Sequence, residues 1–433
     1  MSWGGATATP NTVILPLQAA ISLFESAGSR CCLISLDLAT VPNHTADRLK
    51  TAMSERAGLD PASIFLNASH THTGPGFADI LTPSLDDGYE HELIESLVAA
   101  VLALVPQLAD VRLSTGAAPT IGLNRNRRRR DDPVDTRLRM LRVDDSHGRL
   151  RAILWHFAAH PLTYHGPEPV WCSDYPGAVA QALAQSLPDA HTQFLQGAAG
   201  DVYPLDWYYG LDAPSRPVSQ DTMFYMGKRL AAVISQYVDA CRPCSADDVR
   251  AMTCGVDLQT RTIPWSKEDL QARIAVLEAE IARGGAAQWL PGDHVTNRAK
   301  RHPLPYSLYA ARCARRCIER AGQIVRVQVS GLRLGDCILV GFPGEPFSNV
   351  SLELPLAAPG RNVFVLGYTN GYVYYLPNQR DLDEVDSWTL DEFLSQENRW
   401  AYGATSSAFW SGESCEAAKA AARTLVESLA TGE

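Results

Sequence analysis

The strongest constraint on this chain is a rhythm of short apolar runs separated by helical stretches. CCLISLDLA (31–39), SIFLNAS (63–69), RLRMLRVDD (137–145), RAILWHFAAH (151–160) and TQFLQGA (192–198) have the length and residue types of strands, and each lies near a stretch of helical spacing. Such interleaving predicts an α/β domain. In SDYPGAVAQALAQSL (173–187), Ser173 or Asp174 can cap a helix and Pro176 suits its first turn. In SKEDLQARIAVLEAEIARGG, Ser266 and Asp269 form a capping pair, and Leu270, Ile274, Leu277 and Ile281 share one face of a helix that ends at Gly284. VRVQVSGLRLGDCILVGFPGEP predicts a hairpin turning near Leu334 to Asp336, followed by the strand NVFVLGY and a last helix, ESCEAAKAAARTLVESLA. From 258 to 320 no strand-like run appears. A helical insertion is expected there, covering the core or making an oligomer contact, within a single domain spanning 1–433.

Composition narrows the class of partner. With 38 Lys plus Arg against 48 Asp plus Glu, the net charge of -10 argues against nucleic acid or an anionic membrane. No stretch has the roughly 18 uncharged apolar residues of a membrane span; Leu93 to Val105, broken by Glu95, reads as a buried helix. The N-terminus has neither a basic start nor a long apolar run, so a cytoplasmic protein is expected. Ten cysteines in 433 residues, two of them adjacent at Cys31 and Cys32, fit reduced thiols. Cys241 and Cys244 form one CxxC with no second pair at zinc-ribbon spacing, so they read as a loop pair.

Three places carry chemistry. NASHTHTGPG (67–76) ends a strand-like run in His70 and His72, and residues two apart on a strand face one side, so both imidazoles can enter one site. His160 closes RAILWHFAAH in the same topological position, with His165 beyond it and His156 reading as a histidine of the core or one that supports a ligand. GFPGEPFSN sets Glu345 in a Gly/Pro turn just past another apolar strand. HELIE at 91–95 lacks the second histidine of HExxH, so any zinc site must be assembled from distant segments.

These segments carry a family resemblance. NASHTHTGPG, LNRNR, HFAAHP, CSDYPG, QGAAGDVYP, FPGEPFS and TNGYVYYLP follow one another in the order found in neutral, non-lysosomal ceramidases, over roughly residues 30–410. The resemblance implies a mixed β-sheet core surrounded by helices and a zinc ion held by His70, His160, Glu345 and Tyr375, with Tyr372 and Tyr374 close in sequence to the last. It also implies that His72 and Arg125 donate toward a scissile carbonyl oxygen. Asp37 and Asp174 are then candidates for orienting a ligating imidazole, although a strand end or helix cap accounts for each. The activity implied is cleavage of an amide in an acylated, lipid-like small molecule by metal-activated water.

The sequence also departs from the family. GDVYP carries Tyr203 where the ceramidases carry a serine, and a phenol cannot stand in for a small primary alcohol. The β-sandwich domain of long ceramidases is not expected, which puts ceramide itself in doubt as substrate. Two alternatives therefore stand beside hydrolysis: a zinc-dependent acyltransferase or cyclase, and a non-catalytic binding protein of the same fold. A homo-oligomer is compatible with either. Of RNRRRR (125–130), which runs into Asp131 and Asp132, only Arg125 is assigned to the site; Arg127 to Arg130 read as a solvated loop. Trp207, Tyr208 and Tyr209 could line an acyl pocket or simply pack in a loop.

Overall fold

The five apolar runs become the strands Ser29–Leu36, Ile64–Ala68, Arg137–Asp145, Leu150–Phe157 and His191–Gln196. The structure is a computed structural model describing residues 12–75, 85–129, 131–164, 170–205, 219–244, 248–285, 304–394 and 408–431. Three sheets dominate it. One orders Ala19–Ser26, Ser29–Leu36 and Ile64–Ala68; a second orders His191–Gln196, Leu150–Phe157, Arg137–Asp145, Val111–Pro119 and Arg242–Pro243; a third orders Val249–Gln259, Ile324–Leu334, Cys337–Gly341 and Asn362–Leu366.

Each sheet mixes antiparallel neighbours with one parallel pair: Ser29–Leu36 with Ile64–Ala68, Leu150–Phe157 with His191–Gln196, and Cys337–Gly341 with Asn362–Leu366. Parallel neighbours need a crossover. The helices Asn43–Ala57, Asp174–Ser186 and Ser348–Glu353 lie in those three connections. Ile64–Ala68 and Cys337–Gly341 are buried at every position, as strands covered on both faces must be. The expected hairpin is present, Leu334 pairing with Cys337 across a turn in which Gly335 takes the left-handed φ of 58° that suits glycine.

The helix signals also resolve. Ser266 accepts from the Asp269 amide at 3.0 Å, and Leu270, Ile274 and Leu277 of Lys267–Glu280 pack on Leu308, Ala311 and Ala314 of Leu304–Glu319. Between Gln259 and Ile324 the described residues hold helices and no strand. Of the two candidates at 173–174, Ser173 makes no cap bond; the Asp174 carboxylate accepts from the amides of Tyr175 (2.6 Å), Tyr164 (3.0 Å) and Thr163 (3.2 Å), tying the helix start to the loop after Phe157. Among the described residues, no helix is long and apolar enough to cross a membrane.

Gln193 joins two of the sheets through a fully buried amide. Its Nε2 donates to Ala20 O, Leu33 O and Ser35 Oγ, each at 3.1 Å, and its Oε1 accepts from Ser22 Oγ at 2.6 Å. Leucine there would fill the space and strand those partners away from water. Gln193→Leu is expected to cost on the order of 3 kcal/mol, read as a lower urea midpoint at unchanged slope. A midpoint equal to that of the parent protein would show the network to be energetically silent.

Candidate metal centre

The parallel strands direct their C-terminal ends to one place, where α/β sheets commonly build sites. Asn67 fastens three of those ends: its Nδ2 donates to Gly367 O at 2.8 Å, and its Oδ1 accepts from the Gln196 amide at 2.7 Å. The loops that follow carry His70, His72, His160 and Glu345.

His70 and His72 do not sit together by strand alternation, as the sequence suggested. The strand ends at Ala68, and His70 adopts a left-handed φ of 66°, a strained state for a residue with a Cβ. That kink brings the two rings to 4.9 Å, edge to face. The His70 amide donates to Leu38 O at 3.0 Å, which pins the kinked backbone. Tyr368, at φ 51°, stacks its ring on His70 at 4.1 Å, so a second left-handed residue supports the first.

The imidazoles are oriented by backbone carbonyls. His70 Nδ1 donates to Ala39 O at 2.6 Å and His160 Nδ1 donates to Val202 O at 3.1 Å. This corrects the candidacy of Asp37 and Asp174: Asp174 holds the Thr163 loop, and Asp37 accepts from the Gln18 amide at 2.9 Å. Because a carbonyl only accepts, each Nδ1 carries the proton and each Nε2 carries the lone pair. Those two Nε2 atoms lie 3.8 Å and 3.5 Å from Glu345 Oε2.

Glu345 is completely buried. Tyr368 donates to its Oε2 at 3.0 Å and Tyr372 to its Oε1 at 2.6 Å. Burial works to raise its carboxyl, but His70, His160 and the Tyr372 hydroxyl hold it down to about 2. Burial pushes His70 down to about 4, against the pull of Glu345. At neutral pH Glu345 is thus a carboxylate facing a neutral His70 imidazole. One ligand atom from each of His70, His72 and His160 lies within 4.8 Å of the others. Lone pairs converging in a dry site repel one another unless a cation lies among them, and this nitrogen and oxygen donor set suits zinc. His70, His72 and His160 can hold a metal ion, and Glu345 stands beside them.

Tyr375 pairs in register with Glu345 across a two-residue parallel bridge. Its phenol accepts a hydrogen bond from Arg127, and burial pushes it above the usual tyrosine range. Of its sequence neighbours, Tyr372 binds Glu345, while Tyr374 turns to Phe409 at 4.7 Å. Arg125 is half-buried on Asn124–Asn126, directly opposite Tyr203 of Val202–Pro204, so the two side chains share a face. The Tyr203 ring lies 5.7 Å from that of His160. His156 is a core histidine, its Nε2 bonded to Val365 O at 3.0 Å. His165, Arg130 and the Trp207, Tyr208, Tyr209 cluster lie outside the described residues.

The basic run is the main correction. Arg127 and Arg128 are each only 6% exposed. Asn126 accepts from the amides of Arg128 (2.8 Å) and Arg129 (3.1 Å), folding the run into a turn. Arg128 then meets Asp381 at 3.0 Å. The Arg127 guanidinium lies over the rings of Tyr203 (4.9 Å) and Tyr375 (5.3 Å) and donates to Tyr203 Oη (3.2 Å) and Gly200 O (2.6 Å). Only its position two residues after Arg125 hinted at this.

No protein-family model matches the chain, and no curated protein matches it in sequence. Solved structures do. The neutral ceramidase from Pseudomonas aeruginosa superposes with a TM-score of 0.66 at 15% identity, over 98% of this chain and 73% of that one. A ceramidase complexed with C2 superposes with a TM-score of 0.68 at 14% identity, over 100% and 72%. The chain has the neutral-ceramidase fold. At that identity the ceramidase likeness covers the architecture alone.

Proposed function

We propose that the protein is a zinc-dependent amidohydrolase that cleaves an N-acyl bond of a lipid-like or otherwise acylated small molecule. The observation that carries the reading is the convergence of His70 Nε2, His160 Nε2 and the Glu345 carboxylate at the shared ends of the parallel strands, on a ceramidase fold. In this reading His70, His160, Glu345 and Tyr375 hold the ion, and His72, the third imidazole of the cluster, is left to face the substrate. A zinc ion so held supplies a Lewis acid that polarises a carbonyl and makes water more acidic.

The chain supplies the rest. The Ala39 and Val202 carbonyls fix the ligating tautomers of His70 and His160, so no reorientation is needed when the site fills. Tyr368 and Tyr372 hold Glu345 ionised and aimed. His72 and Arg125 donate to the scissile carbonyl oxygen as charge develops on it. Tyr203, pinned by Arg127, forms a wall of the pocket and leaves the attack to water.

The purified protein is expected to contain about one equivalent of zinc per chain. Stripping it with a chelator should abolish turnover and lower the melting temperature, since a ligand at ~1,000 times its Kd stabilises by about 4 kcal/mol; added zinc should restore both. Equal activity and melting temperature with and without metal would sink the proposal. The substrate class is read from a panel of N-acyl amino acids, N-acyl sphingoid bases and lactones assayed in ¹⁸O-labelled water. Label in the acid product means hydrolysis, an unlabelled acyl product means transfer or cyclisation, and metal binding without turnover means a binding protein.

A further inference from the structure

Two cysteines, Cys244 and Cys337, come together where the five-stranded sheet abuts the four-stranded one, at the start of the strand Cys337–Gly341 whose other end leads to Glu345. The Cys244 amide donates to Leu113 O at 2.9 Å. Two residues along the same strand, Thr115 Oγ1 lies 3.0 Å from the Sγ of Cys337, and Asn362 Nδ2 donates to that same hydroxyl at 2.6 Å. One edge of Val111–Pro119 therefore holds both cysteines, Cys244 through its backbone amide and Cys337 through its sulfur, which makes the two neighbours. Cys337 is completely buried, whereas Cys244 is half-buried and reachable from solvent. Cys241, the other member of CRPC, is directed elsewhere: its Sγ packs against Gly116 and lies 4.0 Å from Tyr237 O.

We propose that Cys244 and Cys337 are a peroxide-sensitive modification site, at which oxidation forms a disulfide that fastens the two sheets together. The inference does not depend on the proposed activity. Contact with the Cys337 thiol and the Asp336 backbone lowers the Cys244 thiol against the effect of burial, which favours its thiolate. Burial pushes Cys241 up to about 11 and Cys337 upward, which makes Cys244 the attacking sulfur. The Cys244 thiolate attacks one oxygen of hydrogen peroxide, the O–O bond breaks, and the departing hydroxide takes a proton to become water. The Cys337 sulfur then attacks the sulfenic acid at Cys244; the S–O bond breaks, and hydroxide leaves with the Cys337 proton as a second water. Two thiols are oxidised and one peroxide is reduced.

The test treats the reduced full-length protein with hydrogen peroxide, alkylates the remaining thiols and maps the peptides by mass spectrometry. A linked peptide joining Cys244 to Cys337 is expected in the parent and in Cys241→Ser, but not in Cys244→Ser, and dithiothreitol should release it. A cross-link closing so long a loop should raise the melting temperature of the oxidised parent by about 5 °C, with no rise in Cys244→Ser. The proposal is overturned by a link from Cys244 to Cys241 or to another chain, by oxidation of Cys244 past the sulfenic acid while Cys337 is still alkylated, or by a Cys244 thiol that peroxide leaves unreacted.

Discussion

Glu345→Ala is expected to abolish the metal binding proposed for the site and, with it, at least about three orders of magnitude of turnover, because several kcal/mol of charge stabilisation would leave with the ion. The carboxylate faces the Nε2 atoms of both His70 and His160. Alanine also strands the hydroxyls of Tyr368 and Tyr372, which both donate to it, at about 1–3 kcal/mol each. The loss of activity could then be mistaken for a loss of fold. Glu345→Gln separates the two, since an amide keeps the size and one acceptor oxygen but not the charge. The glutamine variant is expected to melt within a few degrees of the metal-stripped parent, bind less than about a tenth of the zinc, and be nearly inactive. Full zinc content and turnover in that variant would remove Glu345 from the site.

Gly200→Ala should produce the second large effect, at a residue with no chemistry of its own. A Cβ there would lie 2.5 Å from the Glu345 carbonyl oxygen and 2.8 Å from Phe347 Cδ1. The Gly200 amide meanwhile donates to Pro346 O at 3.0 Å, so the two segments cannot simply part. Overpacking against backbone costs about 1–3 kcal/mol or more, and the segment displaced is the one that carries Glu345. The variant is expected to melt several degrees lower and to bind zinc at least about tenfold more weakly. Gly88→Ala, likewise at an ordinary φ and with only an Asp86 carboxylate oxygen near the added carbon, at 3.2 Å, is the control for glycine replacement. Parent-like zinc affinity in Gly200→Ala would show that the contact yields without disturbing the centre.

Much of this was legible before any coordinates. Strands such as Arg137–Asp145 declare themselves because apolar side chains must be covered, and His70, His160 and Glu345 stand out because each follows such a strand inside a Gly/Pro turn. What orients them was not legible. The acceptors are the carbonyls of Ala39 and Val202, which any residue type could supply, so no side-chain pattern marks them. The left-handed turn at His70 is equally silent, since it is enforced by distant packing against Tyr368 and not by a local glycine. Arg127 was misread for the opposite reason. A charge run is normally solvated, but here the turn held by Asn126 directs one arginine onto two tyrosine rings and the next onto Asp381.

The loops that supply the cluster come from the early, middle and late parts of the chain, with Glu345 and its supporting tyrosines among the last to be made. During synthesis the N-terminal histidines leave the ribosome long before their carboxylate exists, and contacts between such distant positions form slowly. Until then the strained turn at His70 lacks the aromatic ring that supports it, so a nascent or truncated chain should expose this region to proteases and bind metal poorly. In the proposed reading, metal capture therefore waits until the chain has been made as far as Tyr372.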